Sequence, residues 1–128
     1  MRLLLDTHAF RWWLAGSAKL GTAARRAIGE DADEVFVSAV SAWEITTKHR
    51  LGKLPAAALV AADVAAQVDD QGLRPLPIRL RHAEQAGRPP GPHRDPFDRV
   101  LIAQALSEDL TLVSNAQSFD AYGIHRLW

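Results

Sequence analysis

The feature that most constrains this chain is a run of three leucines at positions 3–5 that ends directly on Asp6. An unbroken apolar run of this length, followed at once by apolar residues at helical spacing, is typical of a parallel strand buried in an α/β sheet. Such sheets bind ligands just beyond the carboxyl ends of their strands. Asp6 therefore either lies at the edge that α/β proteins use for chemistry or merely caps the helix that follows.

The alternation of strand and helix continues along the chain and predicts the fold class. Further strands are expected at residues 35–37, 73–78, 110–113 and 124–128, the second of them weakened by two prolines. Helices are expected at residues 10–14, 23–28, 38–51, 55–71, 80–86 and 97–106, and the proline-rich stretch 87–96 is expected to be a loop. This order predicts an α/β protein, a three-layer α/β/α sandwich with a central parallel sheet, and one domain over residues 1–128.

Composition narrows the class of protein further. With 128 residues and 48% hydrophobic content, the chain has material for one sizeable core. Fifteen basic residues balance fifteen acidic ones, so no global positive field attracts a nucleic acid or a membrane. The absence of cysteine excludes disulfides and thiolate metal sites. Without a signal peptide or a long apolar run, we expect a cytoplasmic protein with no membrane partner.

Acids stand at three predicted helix starts, and each has an ordinary explanation. Asp6 suits a helix cap. Glu44 follows Ser41 by three residues, which is the spacing of a capping box. Asp95 and Asp98 repeat that spacing with a proline between them, so Asp95 fits the cap and Asp98 its reciprocal partner.

Their joint location favours a second interpretation. Asp6 ends the first strand, Glu44 follows the second strand, and Asp98 begins the most apolar helix, so all three can point at one sheet edge. Two like charges about 4 Å apart repel by roughly 4 kcal/mol at an effective dielectric near 20. A divalent cation removes that repulsion, and carboxylate oxygens without histidine or cysteine favour Mg²⁺ or Mn²⁺ over Zn²⁺. Such an ion can activate water and stabilise the charge on a phosphate under attack.

Four blocks of sequence carry a family resemblance. They are LLLDTHAFRWWL, VSAVSAWEITTKHRLGKL, HRDPFDRVLIAQA and LTLVSNAQSFDAYGIHRLW. In order and spacing, from end to end, the chain resembles a PIN-domain ribonuclease, specifically the VapC-type toxin of a VapBC toxin–antitoxin pair. The resemblance implies a Mg²⁺- or Mn²⁺-dependent endoribonuclease that is usually a homodimer, cleaves RNA and is held inactive by a cognate VapB-like antitoxin.

The resemblance also implies roles for individual residues. Asp6, Glu44 and Asp98 match the first three acidic residues of the family and are expected to be catalytic, with Asp6 and Asp98 as metal ligands. Asp95 matches a further acid of the third block and is expected at the site rim. His8 follows closely after Asp6, but a lone histidine near a helix start is more often structural than catalytic.

The fourth block departs from the family pattern. Where similar proteins read threonine, any residue, aspartate, this chain reads Ser114, Asn115, Ala116, so a methyl group replaces the fourth carboxylate. Three interpretations compete: an oxygen of Ser114 or Asn115 substitutes in part, the natural protein is impaired, or Ala116 is an engineered inactivating replacement. Asp120 is the next acid and looks too far along the chain to serve. The rival reading of function is therefore a non-catalytic module that keeps the fold and binds RNA or antitoxin without cutting.

A local basic strip and several tryptophans suggest partners. Six arginines against three acids lie between residues 74 and 99, and Arg94 and Arg99 flank the predicted metal acids. These two could contact RNA phosphates. Alternatively, the strip is a solvated surface, or its arginines neutralise the acid cluster when no metal is bound. Trp12, Trp13 and Trp43 exceed the needs of a small core, and the resemblance makes an antitoxin segment near the first helices a use for those that are exposed.

Overall fold

Five parallel strands form one sheet in the order β3–β2–β1–β4–β5. The computed structural model describes residues 1–88, 90–91 and 94–128. The strands are β1 (Arg2–Leu5), β2 (Glu34–Ser38), β3 (Arg74–Leu76), β4 (Thr111–Val113) and β5 (Arg126–Leu127). The α-helices are α1 (Thr7–Ala15), α2 (Thr22–Gly29), α3 (Ala39–Arg50), α4 (Ala58–Ala62), α5 (Val64–Asp70), α6 (Leu80–Gly87) and α7 (Pro96–Ser107). Short 3₁₀ helices lie at Pro55–Ala57 and Gln117–Tyr122.

Helices cover both faces of the sheet because successive side chains of β1 point to opposite sides. Leu3 and Leu5 pack with residues of α1, α2 and α5, whereas Leu4 packs with residues of α7. All three leucines are fully buried. The predicted α/β sandwich with a central parallel sheet is confirmed, and β1 is its innermost strand.

The carboxyl ends of β1 and its neighbour β4 lie side by side. Leu5 of β1 pairs with Val113 of β4, so the residues that follow, Asp6 and Ser114, are neighbours at the sheet edge. The N–H of Asp6 donates to the Val113 carbonyl at 3.1 Å. The chain leaves β1 towards β2 on one side and reaches β4 on the other, which makes this edge the topological switch point where α/β sheets bind ligands.

The helix predicted over residues 55–71 is wrong as a single element. Asp63 leaves the helical region with φ −159° and ψ 84°, and its side chain accepts the N–H of Ala66 at 3.0 Å. It thereby starts α5, which buries Val64 and Val68 in the core. The high helix propensity of the alanine-rich segment favours one continuous helix. Burial of Val64 and Val68 in the core instead gives α5 its own direction, and helix propensity contains no information about direction.

Helix α3 leaves one large apolar side chain exposed, and so does the residue that follows it. Trp43 and Leu51 are 57% and 53% exposed. The buried face of α3 consists of Val40, Ser41, Glu44 and Ile45. A polar residue therefore lies inside the fold while a tryptophan lies outside, and both facts bear on the site described below.

The remaining elements agree with expectation apart from small shifts. In the predicted loop 87–96, α6 ends at Gly87 and α7 begins at Pro96, while residues 89, 92 and 93 lie outside the described residues. The last strand is shorter than predicted, at Arg126–Leu127. Within the part of the chain that is described, no helix combines the length and apolar character that crossing a bilayer requires.

Replacement of Asp63 by alanine tests the break before α5. We expect Asp63→Ala to lower the free energy of unfolding by about 1 kcal/mol, because a helix then loses its capping acceptor. Asp69→Ala in the last turn of the same helix removes another exposed acid without removing a cap, and should leave stability unchanged or slightly higher. Urea unfolding of both variants measures the difference, and equal effects would contradict the capping role.

Candidate active site

A cavity of about 250 Å³ opens at the carboxyl edge of the sheet. Its lining comes from the start of α1, from α3, from the start of α7 and from the segment after β4. Among the described residues, the lining consists of Asp6, Thr7, His8, Glu44, Lys48, Asp95, Asp98, Asn115, Ala116 and Phe119. A larger cavity of about 540 Å³ lies between α6 and α7, but none of the described residues that line it is an acid. Of these two cavities, the smaller one is lined by acids and is therefore the candidate active site.

Asp6 is both a helix cap and a member of this acid cluster. Its Oδ1 accepts the N–H of Ala9 at 2.7 Å, so the capping interpretation is confirmed. Burial raises the pKa of Asp6 above its ordinary value, and the charge of Glu44 adds to the rise. The Ser114 hydroxyl, the Ala9 N–H and His8 act in the opposite direction. One carboxylate thus fixes the start of α1 and faces the cavity.

The predicted capping box at Glu44 is wrong. Helix α3 begins one turn earlier than that box requires and is capped by Ser38, while Ser41 is buried inside the helix. Glu44 is only 4% exposed, and each of its oxygens has a partner. Thr7 Oγ1 donates to Oε1 at 2.6 Å, and Lys48 Nζ lies 2.5 Å from Oε2. Two groups of the chain therefore hold Glu44 on the cavity wall.

Lys48 is a member of the site that the sequence analysis missed. Partial burial alone would lower the pKa of Lys48, but the hydrogen bond that Lys48 donates to Glu44 and the charges of Glu44, Asp95 and Asp98 raise it overall. The ammonium group therefore neutralises part of the cluster. Its position four residues after Glu44 is the spacing of a helical ion pair, and that signal was available in the sequence.

The start of α7 concentrates negative charge. Asp95 caps this helix, as predicted, by accepting the N–H of Phe97 at 2.8 Å and that of Asp98 at 3.4 Å. Burial, followed by the charges of Asp95, Glu44 and Asp6, raises the pKa of Asp98 to about 7, with Lys48 opposing the rise. The acids are thus close enough to repel one another, and Lys48 offsets only part of that repulsion.

The segment after β4 shows what surrounds the absent fourth carboxylate. Ala116 and Asn115 line the cavity, so a methyl group and an exposed amide occupy this wall. Ser114 is fully buried, and its Oγ accepts the N–H of Ala116 at 3.1 Å while its hydroxyl donates to Asp6. Asp120 is bound by Arg126 at 2.8 Å and is absent from the described lining. Of the two residues proposed as substitutes, Asn115 has the side chain with access to the cavity.

The two arginines proposed as phosphate contacts are outside the described lining of the cavity. Arg94 is exposed, and Arg99 donates from Nε to the Ala86 carbonyl at 2.6 Å. Part of the basic strip is also neutralised within the chain, since Arg74 pairs with Glu34 at 2.9 Å. Contact of Arg94 or Arg99 with RNA stays a prediction.

The donor set suits a hard divalent cation by its chemistry. It offers carboxylate oxygens in one cavity, and the elevated pKa of Asp98 reflects like charge that a cation would neutralise. As the described side chains stand, no three histidine, cysteine or acidic groups come close enough together to ligate one ion. The assignment of Asp6 and Asp98 as ligands therefore stays a prediction.

Comparisons with known proteins agree with the geometry. Residues 3–124 match the family model described as PIN domain. The chain is 31% identical over 115 residues to Ribonuclease VapC22 of Mycobacterium tuberculosis, which covers 88% of this chain and 85% of that protein. The fold is similar to DNA-bound VapBC from Salmonella typhimurium, with a TM-score of 0.66, 18% identity, and coverage of 99% of this chain and 97% of the other.

A second solved structure gives the same result. VapC20 of Mycobacterium tuberculosis, a toxin that cleaves the sarcin–ricin loop, aligns with a TM-score of 0.64 and 21% identity over 95% of each chain. At these identities the structural likeness shows the fold, while the match to the family model and to VapC22 shows the family.

Removal of the Asp98 charge should stabilise the metal-free protein at neutral and higher pH. Between its ordinary value of 3.8 and the raised value of about 7, Asp98 holds a proton in the folded chain that the unfolded chain releases, so stability falls as pH rises through this window. The Asp98→Asn variant has no carboxyl group to lose a proton at this position, so its stability does not fall through this window for that reason. In EDTA at pH 8, we expect the free energy of unfolding of the variant to be about 1–2 kcal/mol higher than that of the parent, after allowing for solvent screening.

The difference between Asp98→Asn and the parent should shrink towards zero as the pH falls to 4. Asp109→Asn is the matched control, because Asp109 is exposed, lies before β4 at the other end of the sheet, and has a φ of 52° that asparagine also adopts. Its stability should follow the parent at every pH. A pH-independent effect of Asp98→Asn in thermal or urea unfolding would contradict the repulsion described here.

Proposed function

The chain belongs to the PIN-domain family, among the VapC-type ribonucleases, and from this premise we propose that it is a toxin that cleaves RNA internally with the help of Mg²⁺ or Mn²⁺. The observation that carries the metal-dependent mechanism is the meeting of Asp6, Glu44 and Asp98 in one cavity at the switch point of the sheet. Each acid comes from a different part of the chain. Such an arrangement fits hydrolysis of a phosphodiester better than it fits capping alone.

Each acid has a distinct part in the proposed mechanism. Asp6 and Asp98 would hold the ion through carboxylate oxygens, and Ser114 orients Asp6 for that purpose. Glu44 keeps its place because Thr7 and Lys48 hold its two oxygens. When bound, a divalent ion supplies charge stabilisation for the phosphate and lowers the pKa of the attacking water. Without it, the net negative charge of the cavity opposes the approach of RNA.

We propose that this chain is less active than a relative with a fourth acid. Ala116 lines the cavity with a methyl group, which cannot ligate a metal, so fewer ligands hold the ion. An impaired natural enzyme and an engineered inactivating replacement both fit this wall, whereas partial substitution would depend on the exposed amide of Asn115. The same methyl group supports the rival function, a PIN-fold module that binds RNA or antitoxin without cutting.

A VapB-like antitoxin is the proposed protein partner. A groove of about 330 Å³ runs between α1 and α4, where Trp12 and Leu14 face Leu59 and Val60. Leu59 is 87% exposed, so the groove offers apolar surface to an incoming segment. The Salmonella neighbour is a VapBC complex, which supports a partner of this class. A homodimer in the cytoplasm completes the proposal.

A cleavage assay with a structured RNA and Mn²⁺ tests the proposed activity. We expect slow cleavage by the parent chain, none with EDTA, and none by Asp6→Ala. Ala116→Asp should cut at least about tenfold faster, which corresponds to about 1.4 kcal/mol of added transition-state stabilisation. Asp120→Asn is the matched control, because Asp120 is the next acid along the chain but is absent from the described cavity lining. Its rate should equal that of the parent.

The outcomes of this assay separate the competing readings. If Ala116→Asp cuts no better than Asp6→Ala, the four-acid account is wrong. If the parent already cuts at the rate of Ala116→Asp, the impairment proposal is wrong and Ala116 is harmless. RNA binding by the parent with no cleavage by parent or Ala116→Asp would favour the non-catalytic module.

A further inference from the structure

A pair of aromatic rings, of which Trp43 is exposed and Phe97 half-buried, lies beside the acid cavity. Trp43 is 57% exposed, and its ring meets the ring of Phe97 at 4.9 Å between centroids with an interplanar angle of 73°. Trp43 immediately precedes Glu44 on α3, and Phe97 immediately precedes Asp98 on α7. Each ring is therefore carried by an element that also supplies an acid to the cavity.

Lys48 connects the aromatic pair to the acids. Its Nζ lies 5.8 Å from the centroid of Phe97 and 2.5 Å from Oε2 of Glu44. The Lys48 side chain is 31% exposed, so a ligand at the mouth of the cavity can approach the ammonium group. The carboxylate of Glu44, the ammonium group of Lys48 and the ring of Phe97 are thus neighbours where α3 and α7 meet.

We propose that Trp43, supported from behind by Phe97, is a base-binding platform for the RNA strand that enters the acid cavity. This inference rests on the proposed function, and it adds the class of substrate: a stretch of RNA with an unpaired base next to the phosphate at the acids. The base stacks on the exposed face of Trp43 while Lys48 faces the neighbouring phosphate. Stacking on aromatic rings is how proteins hold single-stranded RNA with little preference for sequence.

Two observations favour a nucleotide over a second copy of the chain on this surface. The surface is continuous with the cavity through Lys48, so a strand bound at the acids can extend onto it. The surface also carries a cation next to its aromatic rings, which complements a base and its phosphate. The centre of a protein–protein interface is instead depleted of charge.

If Trp43 stacks on a base, its replacement should weaken the binding of RNA that has bases and leave the binding of the bare backbone unchanged. Binding to an adenosine octamer and to an octamer of abasic ribose phosphates is measured in EDTA at fixed salt, where no metal-dependent cleavage removes ligand. Trp43→Leu should weaken binding of the adenosine octamer by about tenfold, the usual loss for one stacked base. Trp43→Phe keeps a ring and should lose less than about threefold. The abasic octamer should bind parent and variants alike.

Controls distinguish stacking from general damage. Leu51→Ala removes apolar surface of comparable exposure from the end of the same helix and should bind both octamers as the parent does. Tryptophan fluorescence supplies an independent readout: the adenosine octamer should quench the parent, and most of that quenching should vanish in Trp43→Phe. This second measurement keeps the test valid if Trp43→Leu fails to fold.

Each contrary outcome has a definite meaning. Equal loss for both octamers, or no loss for either, would overturn the platform. A change of molar mass in light scattering of Trp43→Leu would assign the surface to contact between copies, which also overturns it. Base-dependent loss in a chain that never cleaves RNA would support the platform while the catalytic proposal fails. Failure of the parent to bind the adenosine octamer better than the abasic octamer would overturn the platform alone. Weak binding of RNA in EDTA does not bear on metal-dependent cleavage, because the acids repel RNA when no ion is bound.

Discussion

Repulsion between carboxylates is the physical constraint on which the arrangement of this molecule depends. The parallel sheet sets Asp6 at its carboxyl edge, and the helices that follow bring Glu44 and Asp98 to the same cavity. Buried like charges are unfavourable unless other groups compensate. Ser114 and a backbone N–H donate hydrogen bonds to Asp6, while Thr7 and Lys48 donate hydrogen bonds to Glu44. The repulsion that remains appears at Asp98, whose pKa rises to about 7.

Some carboxylates of the cluster both cap a helix and contribute to the acid cavity. Asp6 caps α1 and faces the cavity, so the structural and functional interpretations of this residue are not alternatives. Asp95 likewise starts α7 and adds charge to the cluster. A helix N-terminus favours negative charge, which lets these acids be held at lower cost than they would be elsewhere. Ala116 stands at the N-cap position of the 3₁₀ helix Gln117–Tyr122 and gives it no side-chain cap, so this part of the cavity wall has neither the charge nor the capping that Asp6 and Asp95 supply.

Particular residues show how far local sequence patterns can be read. The leucines of β1 predicted a buried parallel strand because an unbroken apolar run has few other solutions in a small α/β protein. The break at Asp63 was missed and the capping box of Ser41 and Glu44 was wrong, since several polar residues nearby could each begin a helix. The choice among them depends on which helix face meets the core, and that contact joins residues far apart in sequence. Lys48 could have been found from its spacing to Glu44.

By itself, the sequence determined the alternation of strands and helices, the acids at their ends and the membership of the family, because these properties are local or depend on the order of residues along the chain. Only the tertiary structure decided that Glu44 is buried between Thr7 and Lys48, that Trp43 on the same helix is exposed against Phe97, and that Asn115 rather than Ser114 lines the cavity. The physical reason is that burial and charge compensation depend on distances between segments, which are set when the helices pack against both faces of the sheet.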